Sequence, residues 1–205
     1  MDQNPETPEN KSKRKLVESG KSLFYSYGYR KVTVEDICGK AGLSKMTFYR
    51  FFTNKLELIT FILNELTDQG TTVYREIMDR EAPFEEKIRE TIRMKSELAK
   101  QFSDEFLRDV YSDKKGEILP LIQKLTDETM VMVMNDYLLA QQQGHIRSDL
   151  NLSFIPYFTK QMQNMTNDPA LVELCHGNIK EVLTELTNLF FYGILQQHEK
   201  NQENK

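Results

Sequence analysis

Residues 45–52, Lys-Met-Thr-Phe-Tyr-Arg-Phe-Phe, crowd several kinds of chemistry onto one short segment. Read as a helix, Phe48 and Phe52 lie one turn apart and share a face. Met46, Thr47 and Arg50 fall on the opposite face, flanked by Lys45 and Tyr49. Two cations, a hydroxyl, a phenol and a soft thioether match what the edge of a DNA duplex presents: base acceptors and donors, thymine methyls and phosphates. For this face alone, a short surface helix with merely solvated cations is the plainer alternative.

Such a face is useful only if neighbouring elements hold it still. Ser44 stands as its N-cap, with Leu43 and Phe48 as the apolar pair that clasps the first turn. The same grammar occurs just upstream. There Thr33 is the N-cap, Asp36 takes the acidic capping-box position, and Val32 and Ile37 flank them. That helix ends near Lys40, before Gly42. Leu16, Val17, Leu23, Phe24 and Tyr27 mark a preceding helix over 11–27, stopped by Gly28. Asn54 caps a fourth helix and Glu57 reaches back, with Leu58, Ile59, Phe61, Ile62 and Leu66 as its apolar residues. Lys55 opens that helix, where free N–H groups favour an anion. Two short capped helices joined by Ala41-Gly42-Leu43 form a helix-turn-helix pattern. The hydroxyls of Thr33 and Ser44 stand at helix starts where they can also meet a phosphate backbone.

Charge singles out the same region. The 205-residue chain has a formal charge of −4, but residues 11–55 hold 11 Lys and Arg against 3 Asp and Glu. Residues 56–205 hold 16 against 25, a net of −9. A compact basic segment on an acidic body suits a local polyanion contact, although a solvated charged surface accounts for the balance equally well. Lys11, Lys13, Arg14 and Lys15 form either an arm toward phosphate or minor groove, or a solvated run.

Downstream the pattern stays helical. Phe84, Ile88 and Ile92 mark one helix, and Phe102, Phe106 and Val110 the next, broken near 113–116. A long helix spans 117–142; its alternating Met130–Met134 run resembles a strand, but its flanks and length favour a largely buried helix. Helices over 151–166 and 168–175 follow, with Pro156 tolerable in a first turn. The last helix, 178–198, carries one stripe of Ile179, Val182, Leu183, Leu186, Leu189, Phe190 and Ile194 and a second of Phe191, Tyr192 and Leu195. One stripe packs on its own subunit and leaves the other for a partner; a wholly buried terminal helix is the alternative. Ile155, Met162, Val182, Leu186, Leu189, Phe190 and Ile194 are the expected dimerisation residues. Met94, Phe102, Phe106, Tyr111, Met130, Met134 and Tyr137 are candidates to line an apolar ligand cavity, with ordinary core packing as the alternative for each.

Catalytic and metal chemistry find no footing. His145, His176 and His198 are scattered, Cys38 and Cys175 form no CxxC, and no nucleotide-binding or hydrolase motif occurs. No apolar stretch approaches the ~20 residues of a membrane span, and the first ten residues are polar, so a cytoplasmic protein is expected.

Residues 23–58 resemble the DNA-binding segment of the tetracycline-repressor (TetR) family. The resemblance rests on Leu23, Phe24, Gly28, Thr33, Val34, Ile37, Ala41, Gly42, Ser44, Thr47, Phe48, Tyr49, Phe52, Lys55 and Leu58. Val32, Cys38 and Met46 depart from the family's commoner Thr, Ala and Gly. The resemblance implies an all-α chain with an N-terminal helix-turn-helix domain over 11–56 and a helical regulatory and dimerisation domain over 57–199. Disordered tails are expected at 1–10 and 200–205. It implies a homodimeric transcriptional regulator, a repressor, on a palindromic double-stranded DNA operator, responsive to a small apolar or amphipathic effector. It further implies that Tyr49 and Lys55 grip phosphate. Thr33, Ser44, Lys45, Met46, Thr47, Tyr49, Arg50 and Lys55 are the expected DNA-binding residues. No enzyme activity, cofactor, metal or membrane partner is expected. A DNA-binding structural or division-associated protein without an effector is the alternative.

Overall fold

The computed structural model describes residues 8–111, 116–166 and 168–194, and the described residues are almost entirely helical. They form two compact units. The expected breaks near Asp113 and the expected tails at 1–7 and 200–205 lie outside the described residues, as do His198 and Leu195.

The first unit takes residues up to Thr71 together with Leu98–Leu125. It contains α1 (Pro8–Tyr27), α2 (Val34–Ala41), α3 (Lys45–Phe51), the start of α4 (Lys55–Met78), the end of α5 (Phe84–Lys100), α6 (Asp104–Tyr111) and the start of α7 (Leu119–Gln142). Residues 8–10, expected in a disordered tail, are the first turn of α1. Proline suits that position because its missing N–H has no helical partner there, and Ser12 Oγ donates to the Pro8 carbonyl at 3.0 Å. Leu16, Phe24, Ile37, Phe48, Leu58 and Ile59 are completely buried and make one core from α1, α2, α3 and α4. At Gly28 the backbone turns to φ 84°, a conformation that excludes most side chains, and α1 stops.

The expected boundary at residue 57 therefore differs from the structural one. Helix α6, placed by the sequence reading in the body, packs on α1. The Tyr25 ring lies edge-on to Phe102 at 4.7 Å and against Phe106 at 5.2 Å. The Ser103 N–H donates to the Tyr25 carbonyl at 2.7 Å.

The second unit comprises Thr72–Glu97 and residues from Thr126 onward. It holds the remainder of α4, α5 and α7, with α8 (Phe154–Met165), α9 (Pro169–Leu174) and α10 (Ile179–Ile194). Its core joins Phe84, Ile88, Tyr137, Ala140, Ile146, Ile155, Phe191 and Ile194. The Gln141 amide donates to the carbonyls of Arg147 and Leu150 at 3.0 and 2.9 Å, which pins the connection after α7. The methionine run 130–134 is helical, as its flanks predict, but it is not largely buried: Val131 is 67% exposed and the three methionines are only half-buried, because one side of the helix is left uncovered. His145 stacks on Phe84 at 5.6 Å. Among the described residues, no helix is long and apolar enough to cross a membrane.

The expected dimerisation set requires correction. Ile155, Val182, Leu186 and Ile194 are buried in their own subunit. Met162 and Phe190 are half-buried, with Phe190 stacked on Phe158 at 5.7 Å. Only Leu189, 70% exposed, faces outward among the seven, and Tyr192 joins it at 62%. The repeat showed that α10 has two apolar stripes; which one turns inward depends on the helices around it.

Candidate nucleic-acid interface

Helix α3 is seated by two rings. Phe48 is fully buried, Phe52 nearly so, and their centroids are 5.8 Å apart. This fixes the rotation of the helix, and the opposite face is what the spacing predicts. Met46 is 84% exposed and Tyr49 55%. Lys45 and Arg50 are exposed as well, with the Arg50 guanidinium over the Phe51 ring at 4.8 Å. The helix start is closed by Ser44 Oγ, which accepts from the Thr47 N–H at 3.1 Å. The Thr47 hydroxyl lies 3.0 Å from Ser44 Oγ and the residue is half-buried, so Thr47 is partly committed to the cap.

The preceding helix is capped reciprocally. Thr33 Oγ1 accepts from the Asp36 N–H at 3.2 Å and donates to Asp36 Oδ2 at 2.7 Å. The hydroxyl's bond to Oδ2, and a second to the same oxygen from the Thr33 N–H at 2.9 Å, hold the Asp36 carboxyl below its usual range. Lys45 is not idle on the surface: its amine pairs with Glu35 of α2. That hydrogen bond holds the Glu35 carboxyl below and the Lys45 amine above their ordinary pKa values. Lys45 must leave Glu35 to meet a phosphate. No sequence signal pointed to this pair, because it depends on how α2 and α3 cross.

Lys55 differs most from expectation. Its amine donates to the carbonyls of Tyr29, Val32 and Arg30 at 2.7, 2.8 and 3.5 Å, and it sits 4.3 Å from the Tyr29 ring centroid. The three donors of this lysine are thus directed at the turn between α1 and α2. The start of α4 is closed by its own residues: Asn54 Oδ1 accepts from the Glu57 N–H at 2.9 Å, and Glu57 Oε2 from the Thr53 N–H at 2.5 Å. The Thr53 backbone bond keeps the Glu57 carboxyl below its usual range.

The basic residues of α1 diverge. Lys13 lies over the Phe61 ring at 4.3 Å, Arg14 pairs with Glu18 at 3.8 Å, and Lys11 and Lys15 are exposed.

A second feature, unsignalled in the sequence, ties this domain to α6. The Arg30 N–H donates to Asp109 Oδ2 at 2.9 Å, and the Arg30 side chain reaches Asp109 Oδ1 at 3.5 Å. A Cβ at Gly28 would lie 2.6 Å from the same carboxylate, so a glycine is needed there for close approach as well as for φ. Tyr25, under α6, has its pKa pushed up to about 12 by burial.

The seven candidate cavity residues divide between the two units. Phe102, Phe106 and Tyr111 belong to the core of the first unit or pack against it. Met94, Met130, Met134 and Tyr137 lie in the second, where Tyr137 is core and Met134 packs against that core. Among the described residues, no three His, Cys, Asp or Glu side chains gather as metal ligands.

Residues 16–60 match the family described as bacterial regulatory proteins, tetR family. Over 186 residues the chain is 22% identical to an uncharacterized HTH-type transcriptional regulator, YdgC, of Bacillus subtilis (strain 168), covering 90% of this chain and 93% of that one. Solved structures share the fold. One is a regulator from Saccharomonospora viridis in complex with choline, with TM-score 0.69 and 15% identity over 91% of this chain and 98% of that one. Another is the regulator FadR from Bacillus subtilis in complex with stearoyl-CoA, with TM-score 0.66 and 16% identity over 88% and 98%. A capped helix-turn-helix with an exposed polar face, a match to the family across that segment and a shared fold along the chain lead to one conclusion: residues 16–60 form a DNA-binding domain of the TetR kind, and the protein is a DNA-binding transcriptional regulator similar to that family's members.

Proposed function

We propose that the protein is a homodimeric repressor that binds a palindromic operator and is released by a small apolar or amphipathic effector held in its helical body. The observation that carries the DNA half is the rotation of α3: Phe48 and Phe52 inward, with Met46, Tyr49, Lys45 and Arg50 outward. Met46 and Arg50 read base edges, while Tyr49 and, once it leaves Glu35, Lys45 position the helix on phosphate. Lys55 supports that helix by holding the turn between α1 and α2.

Effector response is supported by the Arg30–Asp109 and Tyr25–Ser103 bonds, which join the reading domain to α6. In sequence α6 lies between α5 and α7, both of which run on into the second unit, so a ligand that shifts either helix biases the reading domain. Two regulators of this fold, one in complex with choline and one with stearoyl-CoA, support a small-molecule effector here. The exposed apolar residues Phe154 and Tyr157 of α8 and Leu189 and Tyr192 of α10 supply the dimer face.

Selection of bound sequences from random DNA tests the reading. One inverted repeat is expected, with half-sites about 34–36 Å apart or somewhat wider, and affinity falling steeply with salt. An effector found by thermal shift should then lower operator affinity, and DNA should weaken the effector by the same factor. Sequence-independent binding overturns the operator reading. Ligands that stabilise the protein yet leave operator affinity unchanged favour a structural DNA-binding role.

A further inference from the structure

Met46 is the second residue of α3 and is 84% exposed. Methionine ordinarily fills irregular gaps in a core. Met46 fills none, because the helix is seated by Phe48 and Phe52 on its other face. Helix propensity does not demand it either, since leucine, lysine or glutamine serves as well. What a solvent-facing thioether adds is a sulfur lone pair within reach of an oxidant. Among the described residues no other sulfur is as open. Met165 is 38% exposed, and the remaining methionines are half-buried. Cys38 is buried and Cys175 half-buried. The most accessible sulfur of the described protein thus lies on the reading helix. Arg50, also exposed, follows Met46 by one turn and shares its face.

We propose that Met46 is an oxidation site that regulates operator binding: a peroxide converts its thioether to the sulfoxide, and α3 loses its fit to the operator. This rests on the placement of Met46 at base edges and names a regulation of that same site. The sulfur lone pair attacks one peroxide oxygen. The S–O bond forms as the O–O bond breaks, and the proton on the transferred oxygen passes to the departing hydroxide as water. Sulfur is oxidised by two electrons and the peroxide is reduced by two. The product is polar and chiral, and its oxygen accepts hydrogen bonds. Against a thymine methyl that oxygen is stripped of water and meets no donor. One turn along, the Arg50 guanidinium donates to it and is drawn from base acceptors. Both effects oppose the operator, and neither touches the rings that seat the helix. Methionine sulfoxide reductases, one for each epimer, return the thioether, so the change is reversible.

The test uses the full chain, hydrogen peroxide, and then dithiothreitol to reverse cysteine disulfides and sulfenic acids. Peptide mass spectrometry follows each methionine, and operator affinity and melting temperature are read on the same samples. Met46 should gain one oxygen before the other methionines. Operator affinity should fall roughly 10–100-fold as it does, the range of one good base contact. The melting temperature should hold, and the two reductases should restore affinity. Met46→Leu, whatever its own starting affinity, should show no further change with peroxide. Oxidation of other methionines ahead of Met46, complete Met46 sulfoxide with unchanged affinity, or an equal peroxide response in Met46→Leu overturns the proposal. Affinities of Met46→Ala for all single-base operator variants separate this from the reading beneath it. If preference changes at no position, the placement of Met46 at base edges fails and the oxidation site with it. If preference changes at one position while complete sulfoxide leaves affinity unchanged, the placement stands and the oxidation site alone is overturned.

Discussion

Lys55 and Arg50 are both cations of the first unit, and the structure places them oppositely, one turned to backbone carbonyls and one exposed. The Lys55 amine is directed at three carbonyls of the turn between α1 and α2. Lys55→Met leaves these acceptors, two of them part-buried, without it and should lower stability by about 1–3 kcal/mol, measured by urea unfolding. The salt slope of operator binding should stay as in wild type. A slope reduced by about one unit with unchanged stability would return Lys55 to phosphate. Arg50 projects from the exposed face. Arg50→Ala should cost about 1–3 kcal/mol, concentrated at one base-pair position, in affinities for all single-base operator variants. Met46→Gly should relax preference at one position and cost the helix about 1 kcal/mol. With Lys45 on phosphate, as proposed, Glu35 competes with DNA for it, so Glu35→Gln should strengthen operator binding at low salt and steepen its salt dependence. The sign with pH follows. The folded pKa of Glu35 is depressed, so the Lys45 pair is intact at neutral pH and through the ordinary carboxylate range, and is lost only as pH falls through the depressed value. Wild type but not Glu35→Gln should therefore lose this competition in acid.

Helices transmit such contacts only where their ends are fastened. The end of α1 and the flank of α6 meet at Gly28, Arg30 and Asp109. Gly28→Ala faces two penalties: a positive φ costing about 1 kcal/mol, and a Cβ 2.6 Å from the Asp109 carboxylate. The second is relieved only if Asp109 withdraws and releases the Arg30 N–H. Gly28→Ala is thus expected to lower the melting temperature. Asp109→Ala, which removes the acceptor and leaves φ untouched, should cost about 0.5–1.5 kcal/mol or somewhat more. Both should shrink the ratio of operator affinities without and with effector. If that ratio survives Asp109→Ala at full size, coupling does not run through this contact.

At the scale of the whole molecule, the two faces of α10 separate folding from assembly. Leu186 is 7% exposed and internal to its subunit, so Leu186→Glu should unfold the second unit by burying an unpaired charge. Leu189 and Tyr192 are exposed, so Leu189→Glu or Tyr192→Glu should leave circular dichroism unchanged and produce a monomer by light scattering. Operator affinity should fall with dimerisation, because the dimer makes the second half-site encounter intramolecular. A Leu189→Glu protein that remains dimeric would show that the outward stripe of α10 is not the seam.

Local grammar determines the helix-turn-helix without help from tertiary structure. The Thr33–Asp36 box, the Ser44 cap, Gly28 as a stop and the Phe48–Phe52 spacing involve residues within one or two turns, so backbone geometry alone decides them. The all-helical class and the exposure of Met46, Tyr49 and Arg50 follow from the same short-range periodicity. The destination of Lys55, the Glu35–Lys45 pair, the Arg30–Asp109 bond and the inward stripe of α10 were not legible. Each joins elements far apart in sequence, such as the 79-residue separation of Arg30 and Asp109. Periodicity says that a helix has an apolar face, but only its neighbours decide whether that face meets its own core or the outside.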